Sequence, residues 1–136
     1  MLQGNFNYLN LIDNDENCYK IKRIFNKENQ LSLVQILDSK DKIYKCLFYR
    51  DGKHVSNICV YNVETGKEIK NITYRADGET ISSVREYNNE TGNLSCVSFY
   101  KEDGQSVSSM VEYDDNGLEA QFSLFCDDGE VITQCL

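Results

Sequence analysis

Tyr74-Arg75-Ala76-Asp77-Gly78-Glu79-Thr80-Ile81-Ser82-Ser83-Val84-Arg85-Glu86-Tyr87 holds an aromatic strand end, a turn and a β-rich strand. Asp-Gly is a turn signal with a mechanism. Gly takes the positive φ that reverses the chain, and the Asp before it hydrogen-bonds back to the turn backbone. The following eight residues, rich in Ile, Val, Ser and Tyr, suit a strand and are too short for a packed helix with its own caps.

Working outward, the same pattern recurs. Asp-Gly stands at Asp51-Gly52, Asp77-Gly78, Asp103-Gly104 and Asp128-Gly129, the glycines spaced 26, 26 and 25 apart. A second turn lies between each pair, at Glu64-Thr65-Gly66, Glu90-Thr91-Gly92 and Asp115-Asn116-Gly117. Aligned on the Asp-Gly glycine, Phe48, Tyr74, Tyr100 and Phe125 form a column four residues before it. Val55, Ile81, Val107 and Ile132 follow at three after it, Ile58, Val84, Met110 and Cys135 at six, and Tyr61, Tyr87 and Tyr113 at nine. Such columns mean that each unit buries equivalent positions against its neighbours, as in a quasi-one-dimensional array. The three-residue spacing of the columns conflicts with the two-residue period of a flat strand, and a β-bulge in each outgoing strand reconciles the two.

The N-terminal third reads as the same unit, decayed. Phe25-Asn26-Lys27-Glu28-Asn29-Gln30 echoes Tyr100-Lys101-Glu102-Asp103-Gly104-Gln105, and Leu37-Asp38-Ser39-Lys40-Asp41-Lys42 echoes Tyr113-Asp114-Asp115-Asn116-Gly117-Leu118. Asn14-Asp15-Glu16-Asn17 fits one more turn. The expected fold is all-β: an antiparallel meander of about eleven short strands built from double-hairpin repeats, forming one elongated, twisted or curled sheet, with a closed barrel as the alternative. The whole of 1–136 is expected to be one domain, with degenerate repeats over 1–46 and clear ones over 47–136.

Composition narrows the function. Net charge is −8, and it is uneven. Residues 1–54 carry nine Lys/Arg against seven Asp/Glu, and residues 55–136 carry five against fifteen. So acidic a C-terminal part repels phosphate and suits a basic protein partner. No apolar run reaches the roughly 20 residues of a membrane helix, and no secretory signal is visible at the N-terminus. With no Cys-x-x-Cys, the six cysteines (Cys18, Cys46, Cys59, Cys96, Cys126, Cys135) read as reduced thiols, most of them small buried apolar residues, which points to a cytoplasmic location in the producing or a host cell.

Catalytic patterns are lacking. His54 is the sole histidine, and its Cys46 and Cys59 neighbours match no zinc spacing. Asp13-Asn14-Asp15-Glu16-Asn17 begins like a calcium loop but has Cys18 where Gly is required and Ile24 where the bidentate Glu is required. There is no Gly-rich phosphate loop, and no carboxylate pair stands out for glycoside chemistry. Lys20, Lys22 and Arg23 read as the solvent face of a strand. No enzyme activity, metal or cofactor is expected.

The unit Tyr61-Asn62-Val63-Glu64-Thr65-Gly66-Lys67-Glu68-Ile69-Lys70, followed by Thr73-Tyr74-Arg75-Ala76-Asp77-Gly78-Glu79-Thr80-Ile81, resembles a repeat domain of unknown function found chiefly in phytoplasma proteins, over about residues 47–136. It is more loosely similar to the YD repeats of bacterial toxin shells and the MORN-variant repeats of antitoxins. The first resemblance implies the repeat and no site. The looser ones imply protein-binding or scaffold roles.

The expected function is therefore a non-catalytic protein-binding module with an acidic face. A small inhibitor or immunity protein of phage or mobile-element type, anti-CRISPR-like in blocking a basic surface of its partner, would look like this. The candidate contacts are Glu86, Tyr87, Glu90, Glu102, Asp103, Glu112, Tyr113, Asp114 and Asp115, since Tyr anchors bind at low entropic cost and carboxylates supply the charge. Alternatives are a secreted host-directed effector of an intracellular bacterium and a structural repeat segment. Direct nucleic-acid and membrane binding are not expected; self-association is the remaining partner expectation.

Overall fold

A computed structural model describes residues 20–136. Ten strands follow one another: β1 Lys20–Phe25, β2 Leu31–Leu37, β3 Ile43–Tyr49, β4 Val55–Tyr61, β5 Glu68–Tyr74, β6 Ile81–Tyr87, β7 Leu94–Tyr100, β8 Val107–Tyr113, β9 Glu119–Phe125 and β10 Val131–Cys135. They form one open antiparallel sheet in sequence order, and no strand touches any but its sequence neighbours. The barrel alternative is not what forms among the described residues. The proposed turn at residues 14–17, and with it an eleventh strand, lies outside them. No helix among the described residues is long and apolar enough to cross a membrane.

The connections alternate between two edges of the sheet. Residues 26–30, 50–54, 75–80, 101–106 and 126–130 form the lower edge; residues 38–42, 62–67, 88–93 and 114–118 form the upper. Each turn holds one residue at positive φ. In seven it is glycine, from Gly52 (φ 84) to Gly129 (φ 90). In the two decayed turns Asn29 (φ 63) and Asp41 (φ 65) take the role. These are the positions the sequence echoes pair with Gly104 and Gly117, and Asn and Asp are the residues that best tolerate this conformation after glycine.

The anticipated bulge is present, and it lies at the second residue of every outgoing strand from β2 to β9. Thr73 pairs with Ser83 but Tyr74 with Ile81, which leaves Ser82 as the extra residue. Ser32, Tyr44, Ser56, Ile69, Ser95, Ser108 and Ala120 occupy the same place in the other ladders. The ladder is locally open there, and serine hydroxyls close it. Ser56, Ser95 and Ser108 donate to the Phe48, Glu86 and Phe99 carbonyls at 3.1, 3.0 and 3.1 Å.

Three column assignments need correction. The lower turns at Gly52 and Gly129 have five residues; those at Gly78 and Gly104 have six. The aromatic that closes the Gly52 hairpin is thus Tyr49, paired with Val55, whereas Phe48 pairs with Asn57 on the opposite face. Likewise Val131, not Ile132, pairs with Phe125, and the residue in register with Met110 on β10 is Thr133, not Cys135.

One cross-strand row makes the core: Val34, Leu47, Ile58, Ile72 and Val84 stand opposite one another in turn. Val34 and Leu47 are 0% exposed and Ile58 1%. Leu31, Ile36, Val55 and Tyr74 complete the cluster on β2–β6. Each such side chain contributes about 1.5–3 kcal/mol of burial. Burial fades along the array, and β10 is exposed throughout.

Candidate functional site

Carboxylates build both edges before they can serve anything else. On the lower edge Asp51, Asp77 and Asp103 each accept two backbone N–H groups through Oδ1. Oδ2 then meets the third side chain on: His54 Nδ1 at 2.6 Å, the Thr80 hydroxyl, or the Ser106 hydroxyl at 2.7 Å. Hydrogen bonding to the charged form holds all three carboxyls low, Asp77 and Asp103 at about 2, the Thr80 and Ser106 hydroxyls being the first cause. His54 is thus a half-exposed turn residue, and the 3.0 Å approach of its backbone to the place of a Cβ on Gly78 shows how tightly adjacent lower turns stack.

From the 50–54 turn onward, cations tie each lower turn to the next. Arg50 donates to the Tyr74 carbonyl at 3.3 Å. Arg75 donates to the Tyr100 and Lys101 carbonyls at 2.9 and 3.1 Å. Lys101 reaches Asp127 at 2.6 Å, which raises the lysine and lowers the acid. This ladder was missed in the sequence; its signal is a basic residue directly after the aromatic of the three middle lower turns, Asn26 and Cys126 standing there in the first and last.

On the upper edge the first turn residue does the capping. Asn62, Asn88 and Asp114 accept backbone N–H groups through Oδ1. Asn62–Asn89 (2.7 Å) and Asn93–Asp115 carbonyl (3.3 Å) bonds link successive turns.

The nine candidate contacts therefore do not form one surface. Seven gather at the upper edge of β6–β9: Glu86, Tyr87, Glu90, Glu112, Tyr113, Asp114 and Asp115. Glu102 and Asp103 lie in a lower turn, the length of a strand away, roughly 20 Å at 3.3 Å per residue. Register separates the seven further. Glu86 and Glu112 flank Cys96 on the core face, whereas Tyr87 and Tyr113 project on the opposite face. Asp103 and Asp114 are structural, Asp103 engaged in its own turn through both oxygens and Asp114 through Oδ1. Glu86, Glu90, Glu112 and Asp115 are exposed, and their side chains make no hydrogen bond or ion pair among the described residues. Successive repeats lie two strands apart, so this upper comb repeats about every 10 Å.

A second polar group sits on the face opposite the core. Cys46 and Cys59 stand directly across from each other, with Asn71 next in the row. Asn57 and Asn71 amides donate to the Cys59 sulfur at 3.6 and 3.4 Å. Burial and the nearby Glu68 push the Cys59 thiol up to about 12, and burial raises Cys46 as well. Both are free thiols, buried and protonated, the state of inert structural cysteines. Among the described residues no group of His, Cys, Asp and Glu is placed to hold a metal.

Residues 48–95 match the family described as protein of unknown function (DUF2963). That segment spans β4, β5, β6 and the turns between them, the heart of the resemblance drawn from the Tyr61–Lys70 unit. The match supports a domain of unknown function over 48–95; the comparisons give no support to the phytoplasma-type repeat in particular, nor to a likeness with YD or MORN-variant repeats. No curated protein matches the chain. Among solved structures, a mutant of S. aureus TarM in complex with fondaparinux, α-GlcNAc-glycerol and UDP aligns with a TM-score of 0.54 at 10% identity, over 82% of this chain and 21% of that one. A second TarM crystal structure aligns with a TM-score of 0.53 at 10% identity, over 82% and 20%. At that identity the likeness is one of fold alone, and the chain spans about a fifth of those proteins' length.

Proposed function

We propose that this chain is a non-catalytic protein-binding module that docks a basic protein surface on the upper edge of β6–β9. What carries the reading is the comb of Glu86, Glu90, Glu112 and Asp115, exposed carboxylates that the fold itself does not use. They stand on a segment with ten more acidic than basic residues. Tyr87 and Tyr113, half-buried at the same edge, supply apolar contact area beside the charge. Covering a partner's nucleic-acid-binding surface is one use of such an edge, which is how an inhibitor or immunity protein would employ it.

The test is affinity capture from the native host at low and high salt, with the chain and a Glu86→Gln/Glu90→Gln/Glu112→Gln/Asp115→Asn variant. The expected result is a stoichiometric basic partner held at low salt, released as salt screens the charges, and not captured by the variant. A partner held equally by both proteins at both salts refutes the reading.

A further inference from the structure

The two outermost strands among the described residues are built differently. β1 reads Lys20-Ile21-Lys22-Arg23-Ile24-Phe25, with three cations of the kind that discourage edge pairing. β10 reads Val131-Ile132-Thr133-Gln134-Cys135 and, with Leu136, carries no charged side chain. Val131 and Ile132 are 51% and 50% exposed and Leu136 60%. Among the described residues β10 pairs with β9 alone.

The hydrogen bonds fix which backbone groups β10 leaves over. Cys126 N–H donates to the Glu130 carbonyl at 2.8 Å and Leu136 N–H to the Ala120 carbonyl at 2.9 Å. The β9–β10 register has no bulge between these points. Hydrogen-bonded pairs alternate along an antiparallel ladder. Ile132 and Gln134 therefore bond inward, and the N–H and C=O groups of Val131, Thr133 and Cys135 point out of the sheet.

We infer that β10 pairs with β10 of a second copy, antiparallel about a two-fold axis through Thr133. The outward groups are self-complementary in this register. Thr133 exchanges both bonds with its mate, and Val131 exchanges both with Cys135 of the other copy, at two symmetric places. Side chains match as well: Thr faces Thr, a favourable cross-strand pair, while Val131 faces Cys135 and Ile132 faces Gln134. No charge enters the paired stretch. A basic partner finds no side-chain carboxylate on it, which is why a second copy rather than such a partner is the occupant. Each ten-stranded sheet continues into the next, and on the face opposite the core the exposed Ile132 lies diagonal to its counterpart across the seam. The inference is independent of the acidic upper edge and has the opposite salt dependence. Glu119, Asp127, Asp128 and Glu130 flank β10, so association brings like charges closer and tightens as salt screens them.

The experiment is sedimentation equilibrium of the full chain under reducing conditions, which removes any Cys135 disulfide, at low and high salt. The expected result is a reversible dimer of the 15.7 kDa chain that strengthens with salt. Thr133→Pro removes an N–H that β9 does not use, so the fold tolerates it while dimerisation falls by at least about tenfold, or 1.4 kcal/mol. Thr133→Lys, which sets two like charges face to face, is the second variant should proline perturb the strand. A chain that stays monomeric up to on the order of 1 mM at both salts overturns the inference, that limit being the weakest association worth the name. So does a dimer that folded Thr133→Pro or Thr133→Lys leaves intact.

Discussion

Gly66 and Gly78 have nearly the same backbone conformation, φ 74 and 73, but different surroundings. A Cβ on Gly66 would meet nothing within 4 Å. A Cβ on Gly78 would lie 3.0 Å from the His54 Cα, the His54 Cβ and the Val55 backbone nitrogen of the preceding lower turn. Gly66→Ala therefore incurs only the left-handed strain, about 1–2 kcal/mol. Gly78→Ala incurs the same strain plus the displacement of backbone that cannot rotate away, a further 1–3 kcal/mol on the scale of overpacked cores. The total for Gly78→Ala is roughly 2–5 kcal/mol. Urea unfolding followed by far-ultraviolet circular dichroism measures both, since a change in midpoint at constant slope reports stability. Gly66→Asn should cost less than Gly66→Ala, because Asn29 adopts φ 63 in this same sheet. Equal losses for the two alanine variants would refute the reasoning, for the stacking of one turn on the next would then carry no energy.

Leu47→Ala, at a fully buried position, should cost about 2–5 kcal/mol in the same assay, whereas Val131→Ala on the exposed edge should cost well under that. Exposed Cys135 should react with an alkylating reagent at neutral pH while Cys46 and Cys59 stay unmodified in the folded chain, as read by peptide mass spectrometry. Asp77 and Asp103 are lowered from 3.8 to about 2 by their turn hydrogen bonds, so their contribution to stability is complete above the unfolded value and is lost as pH falls from about 4 through about 2. Asp103→Asn should flatten that acid limb in unfolding midpoints taken against pH.

Most of the fold was legible because glycine and its Asn and Asp substitutes are required by the turns themselves. The spacing located every described reversal, including those at Asn29 and Asp41, and the phase conflict among the columns announced the bulge. The slip at Gly52 and Gly129 was not legible. Asp-Gly stands in both five- and six-residue loops, and whether a residue such as Ala76 belongs to loop or strand depends on pairing. The candidate contacts fared differently. Charge alone cannot tell Asp103, whose oxygens are spent on Gln105 and Ser106, from Glu90, whose carboxylate makes no hydrogen bond among the described residues. Both follow the turn periodicity, and only the hydrogen bonds separate them. The Cys46–Cys59 pair had a faint signal, a spacing of one hairpin, hidden because no later repeat shares it.

Nuclear Overhauser contacts between backbone protons across the β4–β5 ladder test the register most directly. The structure places Val60 opposite Lys70 and Tyr61 opposite Glu68, with Ile69 skipped, and the corresponding skip at Ser82 and Ser95 in the next two ladders. Contacts with those skips support the array. A ladder running unbroken through Ile69, or contacts between strands that are not neighbours in sequence, would contradict it.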